Sequence, residues 1–196
     1  MGLLEWLRGR SNNGNPRLTE WRRTWAAMAG APDAAGLTSL EARLDALGLP
    51  DDDIEIEREM LEGARDLLRL RSDVDSAGLP VVETGHRVIG TDRCHFSAPV
   101  SMPDDAAQAA GRLLLTGVRA VFVGGARTTA LPWHAVGEVV QSERDIVLIR
   151  KDREHVYRFR CNTFTDAVCG TFLAQRLAAR RQPARDVRTS STAAPL

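Results

Sequence analysis

The reactive side chains of this 196-residue chain are few, and no catalytic motif arranges them. Cys94 and His95 are zinc-ligand types, but neighbouring residues on a strand point to opposite faces and cannot readily share one ion. No Cys-x-x-Cys or His-x-x-x-His spacing supports a metal site. We therefore predict that Cys94, Cys161 and Cys169 are small core residues, and we predict no metal and no cofactor.

A thiol-dependent enzyme is the alternative for these residues. It would need a histidine beside the cysteine and a third group to orient that histidine. His134 or His155 could approach Cys161, but no spacing in the sequence requires it. Gly-x-Ser-x-Gly elbows and phosphate-binding loops are absent. The sequence favours a protein that is not an enzyme, with an uncharacterised Cys/His enzyme as the alternative.

Arginines and one tryptophan are the other candidate binding residues. Arg119 follows an apparent hairpin turn at 116–119, where it would hold the turn through nearby carbonyls or reach an anionic partner; we favour the first role. Trp133 follows a proline and is expected to be a core anchor or, less readily, to line a groove. A basic surface across two neighbouring strands, diluted by acidic residues, has no interleaved aromatic residues for base stacking, so we expect a solvated face and no nucleic-acid partner. Its members are Arg150, Lys151, Arg153, Arg158 and Arg160.

Composition narrows the class of protein. The hydrophobic fraction of 43% is enough for a core, and 26 basic residues balance 26 acidic ones. A neutral chain lacks the broad positive field that attracts nucleic acid or anionic lipid. An odd number of cysteines argues for a reducing compartment. No apolar run is long enough to form a membrane helix. These features predict a cytoplasmic protein.

The first part of the chain has helical periodicity. We divide the chain into an N-terminal peptide and linker (1–15), a unit of three helices (16–78), a strand-rich domain (79–180) and a disordered tail (181–196). Asn15 is predicted to cap the first helix, Thr38 and Glu41 to form a capping box on the second, and three aspartates from Asp51 to open the third.

The second part alternates with the period of a strand. Strands are predicted at 81–84, 86–89, 93–100, 111–116, 119–124, 127–133, 136–141, 145–151 and 155–161. A final helix over 162–178 is apolar on two sides and must therefore contact two partners. We expect Phe164, Val168 and Phe172 to plug the sheet. Leu173 and Leu177 would then meet the N-terminal helices or a second molecule.

The pattern Gly-Arg-Leu-Leu-Leu-Thr-x-x-Arg-Ala-Val-Phe-Val-Gly-Gly at Gly111 to Gly125 resembles a hairpin of bacterial PH-like and GRAM-like domains. A short strand through Leu131-Pro132-Trp133, further strands and a closing helix follow as in that family, so the resemblance covers about 81–178. It implies an α+β fold in which a bent antiparallel sheet or barrel of about seven strands is capped by a C-terminal helix.

The resemblance also implies a type of function. Such domains are usually non-catalytic adaptors that bind phospholipid head groups or proteins. We predict a protein-binding adaptor module that uses Leu173, Leu177 or a sheet edge. The alternative is peripheral binding to phospholipid at the inner membrane face, through the N-terminal Leu/Trp peptide with Arg87, Arg93 and the neighbouring His86. The sequence leaves the oligomeric state and the ligand open.

Overall fold

The computed structural model describes residues 15–105, 109–125 and 127–181. The predicted N-terminal peptide and all of the predicted tail beyond residue 181 lie outside these ranges. None of the helices within them combines the length and apolar character needed to cross a membrane.

Three helices form the first unit, and the beginnings of two of them follow the predictions. The Asn15 side chain accepts hydrogen bonds from the N–H groups of Arg17 and Leu18, which confirms it as the first cap. Three aspartates occupy the first turn of the third helix, where they offset the helix dipole. The helices are α1 Pro16–Met28, α2 Ala34–Asp45 and α3 Asp51–Ala77.

The predicted capping box on α2 is wrong. The helix begins at Ala34, and the Asp33 side chain accepts the Gly36 N–H at 2.8 Å. Thr38 already lies inside the helix, where its hydroxyl donates to the Ala34 carbonyl at 3.0 Å. Asp33 offers the same capping chemistry five residues earlier and therefore starts the helix there.

Seven strands form one sheet, and every neighbouring pair is antiparallel. The order is β4-β3-β2-β1-β7-β6-β5, so β4 and β5 are the edges and the sheet is open. The helix that follows is α4, and the predicted α+β PH-like fold is confirmed. The elements are β1 Cys94–Ser101, β2 Ala110–Thr116, β3 Arg119–Gly124, β4 Thr128–Pro132, β5 Val136–Ser142, β6 Asp145–Arg150, β7 Val156–Cys161 and α4 Phe164–Arg181.

The segment before β1 contains no strand, contrary to the predictions for 81–84 and 86–89. A single backbone bond, from the Val82 N–H to the Cys94 carbonyl at 2.8 Å, joins it to the start of β1. Arg87–Ile89 is one 3₁₀ turn. Gly85 and Gly90 interrupt the segment, and glycine within a strand weakens its pairing.

Helix α4 lies between the N-terminal helices and the sheet, but with its two sides exchanged relative to the prediction. The Phe164 ring meets Trp25 of α1 edge-on with centroids 6.1 Å apart. The Phe172 ring lies 5.7 Å from the guanidinium carbon of Arg71 on α3. These rings therefore pack on the helices and do not plug the sheet.

The opposite side of α4 faces the sheet. A Cβ atom added to Gly170 would lie 2.6 Å from Ile146 and 2.8 Å from Phe96, both on strands. Leu173 and Leu177 follow at helical spacing and are only 3% and 2% exposed. The prediction that these two leucines offer an exposed contact is therefore wrong, because they are part of the core.

Gly63 is the point of closest approach between α3 and α4. A Cβ at this position would lie 2.7 Å from the Phe164 ring and 3.2 Å from the Thr165 backbone nitrogen. We expect Gly63→Val to lower the free energy of unfolding by about 1 to 3 kcal/mol through overpacking, as measured by urea denaturation.

Gly30→Val is the matched control, because nothing lies within 4 Å of an added Cβ there. It should change stability by no more than about 0.5 kcal/mol. Equal effects of the two substitutions would contradict the close approach of α3 and α4.

Candidate anion-binding cleft beside the first strand

The segment from Val81 to Cys94 curls into an open cleft of about 390 Å³. Its base is apolar, since Ile89 packs in one buried cluster with Cys94, Leu114 and Val121. The segment thus covers the outer face of β2 and β3. Gly90, with a φ of +59°, supplies the left-handed conformation that lets the chain reverse behind Ile89.

Two predicted binding residues, Arg87 and Arg93, line this cleft together with His86. Both arginine residues are exposed. Neither forms an ion pair with a carboxylate in the described part of the chain, unlike most other arginines of the sheet region. We call this concave surface, lined by residues 81, 82, 84–87 and 89–94, the arginine cleft.

Arg119 reaches the same segment from β3. One terminal nitrogen lies 3.4 Å from a carboxylate oxygen of Asp92 and 3.4 Å from the Val88 carbonyl. Asp92 also lines the cleft. The Arg119 side chain therefore connects the β2–β3 hairpin to the cleft. Another residue forms the hydrogen bonds that hold the turn.

That residue is Thr116, which is fully buried. Its hydroxyl donates to the Arg119 carbonyl at 2.9 Å and accepts from the N–H groups of Arg119 at 3.1 Å and Val118 at 3.3 Å. The prediction that the Arg119 side chain holds the turn is wrong, because the threonine hydroxyl satisfies these groups at shorter range. A threonine at a strand end followed by a short polar turn is the sequence signal for this arrangement.

Trp133 contacts the same turn from the core side. Its side chain is 0% exposed, and its indole N–H donates to the Thr116 carbonyl at 2.7 Å. This is the core-anchor position, and Trp133 does not line the arginine cleft.

Exposed aliphatic side chains accompany the arginines. Val81, Val88 and Val118 are 61%, 38% and 37% exposed. Val81 lines the cleft, Val88 directly follows Arg87, and Val118 directly precedes Arg119. Sequence reasoning missed this group, because nothing in the pattern predicts that the segment before β1 folds back beside the β2–β3 turn.

Most arginines near the far end of β1 and in the predicted basic surface have a carboxylate nearby. Asp105 pairs with Arg127, and Asp104 lies 3.6 Å from Arg158. The buried Asp145 accepts two hydrogen bonds from Arg160 at 2.9 and 3.1 Å. Among the described residues, Lys151 and Arg153 of the basic surface form no ion pair, so unpaired cations of the sheet region occur there as well as at the arginine cleft.

The cysteines lie in surroundings that suppress thiolate chemistry. Cys94 and Cys161 are buried, and Cys169 is partly buried. Burial raises the pKa of Cys161 and of Cys169 to about 12, and it also raises the pKa of Cys94. The thiolate is the reactive form, so these thiols are poor nucleophiles at neutral pH.

Comparison with known proteins finds similarity of fold without a family. No protein-family model matches the chain, and no curated protein matches it. The C-terminal domain of an unknown protein from Leishmania infantum is 14% identical, with 56% of this chain and 94% of that chain covered and a TM-score of 0.37. The N-terminal PH domain of Vps36 is 17% identical, with 54% and 88% covered and a TM-score of 0.39.

A third structure, the DH/PH domains of p115-RhoGEF, extends over the helices as well. It is 10% identical, with 85% of this chain and 56% of that chain covered and a TM-score of 0.42. These similarities are weak, and the fold assignment rests on the strand order and the closing helix described above.

The hydroxyl of Thr116 should be essential to the β2–β3 turn. Thr116→Val keeps the shape of the side chain but leaves two N–H groups and one carbonyl of the turn without their partner. We expect the free energy of unfolding to fall by about 2 kcal/mol or more in urea denaturation. Thr128→Val, at an exposed position on β4, is the control and should be nearly neutral. A stable Thr116→Val protein would contradict the role of this hydroxyl.

Cys161 should make stability fall in alkaline solution. Its neutral thiol is favoured in the folded state, where the pKa is about 12 against an ordinary value near 9. This contribution to the free energy of unfolding is fully present below about pH 9. Between the unfolded and folded pKa values only the unfolded thiol ionises, so the contribution falls by about 1.4 kcal/mol per pH unit. Urea denaturation at several pH values above 8 should give a shallower decline for Cys161→Ala than for the unsubstituted chain. Equal slopes would contradict the burial of this thiol.

Proposed function

We propose that this chain is a non-enzymatic binding module that docks on membranes through the arginine cleft, where it recognises the phosphate of anionic phospholipids. The observation that carries the proposal is the pair of exposed arginines, Arg87 and Arg93, without a carboxylate partner in the described ranges. Guanidinium groups bind phosphate oxygens through paired, charge-assisted hydrogen bonds. An arginine already held by a carboxylate would have to give up that partner first.

The exposed valines favour a lipid surface over a soluble anion. A free phosphate compound needs only the cationic groups, whereas a membrane interface also accepts aliphatic side chains. Val81, Val88 and Val118 offer such side chains beside Arg87 and Arg119. We propose that residues 1–10, with Leu3, Leu4, Trp6 and Leu7, add a second weak contact, since a single amphipathic turn is too short to anchor a protein.

The site of action in this proposal is the cytoplasmic face of a membrane. Anionic lipids give that face a negative surface potential, and each nearby basic residue contributes about 1 kcal/mol of attraction. The three free cysteines are compatible with a reducing compartment. The unreactive surroundings of the thiols support a role in binding and offer no support for cysteine catalysis.

Binding to a protein partner remains the alternative function. The contact first predicted for it, Leu173 and Leu177, is buried. A sheet edge was the other predicted contact, and at the β5 edge the Val139 carbonyl is already occupied by the Gln175 side chain. No feature of the arginine cleft requires a protein ligand.

Sedimentation with vesicles tests the proposal. The chain should bind vesicles that contain phosphatidylserine and should not bind phosphatidylcholine vesicles, and raised salt should weaken the binding. Arg87→Ala combined with Arg93→Ala removes about 2 kcal/mol, so the partition coefficient should fall about 30-fold.

Arg23→Ala combined with Arg180→Ala is the matched control. Both arginines are exposed on helices away from the cleft, and their loss should change binding less than threefold on the scale of weakly interacting surface charges. Equal binding to both vesicle types, or equal loss in the two double variants, would overturn the proposal. Capture of inorganic phosphate with the same arginine dependence, but no vesicle binding, would replace the membrane with a soluble anion.

A further inference from the structure

The outer face of the sheet is covered on one half and uncovered by any described segment on the other. The outer face of β2 and β3 is covered by the segment before β1, where Ile89 packs on Leu114 and Val121. No described segment covers the corresponding face of β5, β6 and β7. On that side the inward residues Ile146 and Leu148 are fully buried, whereas their outward neighbours remain accessible.

The uncovered face carries four β-branched aliphatic residues in contiguous positions. The strand register pairs Val140 with Val147 and Ile149 with Val156. Val140 and Val156 are 36% and 51% exposed, and Val147 and Ile149 are partly exposed. A solvated face of an antiparallel sheet normally carries polar residues at such positions. We call these four residues the aliphatic patch.

Two charged residues complete the patch at opposite corners. Glu138 lies on β5 and is opposite Ile149 of β6, and this row ends with Val156 on β7. Arg158 lies on β7 and is opposite Val147 of β6, and this row begins with Val140 on β5. These two rows have a carboxylate at one corner and a guanidinium at the diagonally opposite corner. A third row of Ser142, Asp145 and Arg160 lies beside the second row on the same face.

Both charges have capacity for a further partner. Glu138 is exposed and forms no ion pair among the described residues. Arg158 lies 3.6 Å from Asp104 and 3.8 Å from Asp145, and its side chain is 43% exposed. These distances exceed those of direct charge-assisted hydrogen bonds.

We propose that the aliphatic patch is the interface of a two-fold symmetric dimer of this chain. A two-fold axis that runs along the diagonal from Val140 to Val156 turns two such faces towards each other. It places Glu138 of one protomer over Arg158 of the partner, and it repeats that contact by symmetry. A two-fold interface must be complementary to itself, and the diagonal arrangement of charges meets this condition. The aliphatic residues then pack in the centre, with the two ion pairs at the rim.

Pairing through the neighbouring edge of β5 is obstructed. The side-chain amide of Gln175 on α4 donates a hydrogen bond to the Val139 carbonyl, with a nitrogen–oxygen distance of 3.1 Å. This side chain occupies a backbone acceptor that an added strand would need. The face and not the edge is therefore the surface available on this half of the sheet. Four aliphatic residues make a small interface, so the dimer is expected to be weak and reversible.

The charge arrangement allows a mixing experiment with a clear signature, in which dissociation constants are measured by sedimentation equilibrium. In the homodimer of Glu138→Arg, both rim contacts bring two arginines together and are repulsive. In the homodimer of Arg158→Glu, both rim contacts bring two glutamates together and are also repulsive. Each variant alone should dimerise at least tenfold more weakly than the unsubstituted chain. An equimolar mixture should regain the original affinity, because both contacts of the mixed dimer again join opposite charges. Circular dichroism establishes that each variant is folded.

Val156→Asp is a second disruptive variant that leaves the ion pairs in place. It introduces a carboxylate at the patch on a side chain that is already 51% exposed, so folding should be unaffected. Val81→Asp, with 61% exposure on a different surface, is its control and should leave dimerisation unchanged. A chain that is monomeric at every accessible concentration overturns the proposal. So does a dimer that persists in Val156→Asp or a mixture that fails to regain affinity.

Discussion

The α3 side chain of Glu59 holds the beginning of α4 against both of its neighbours. One carboxylate oxygen accepts the Phe164 N–H at 2.7 Å, and the other pairs with Arg144 in the β5–β6 turn. A carboxylate at this position satisfies an otherwise unpaired N–H and lies at the positive end of the helix dipole. One side chain thus joins the long helix, the closing helix and the second half of the sheet. The rings of Trp25 and Phe164 and the absence of a side chain at Gly63 allow the same surfaces to approach closely.

The position of α4 has consequences for the surfaces that are left to bind other molecules. Because both sides of the helix are used internally, the molecule has no free amphipathic helix face there. Accessible aliphatic groups are instead found beside the arginine cleft and on the outer face of β5, β6 and β7. The two places differ in charge. The cleft has arginines without carboxylate partners, which suits an anionic surface, whereas the aliphatic patch has one charge of each sign, which suits a copy of itself.

Local chemistry made much of the fold predictable from the sequence. The Asn15 cap, the aspartates that open α3 and the alternation of β7 depend on residues within a few positions of one another, and each was predicted. Predictions that depended on a distant partner fared less well. The two sides of α4 were exchanged because helical periodicity shows that two faces are apolar but not which neighbour each will meet. Arg87 and Arg93, predicted as binding residues from their charge, line one cleft, but the valines, Asp92 and Thr116 beside them come together only through the tertiary structure.

The edges of the sheet explain how an open sheet remains a discrete folding unit. An uncovered edge strand offers backbone groups that can recruit strands from other chains and start aggregation. At the β5 edge, the amide of Gln175 blocks the Val139 carbonyl. At the β4 edge, the strand has only five residues and ends at Pro132, which has no N–H to offer. The ladder can therefore stop after seven strands without closing into a ring, and its growth into fibrils is opposed at both ends.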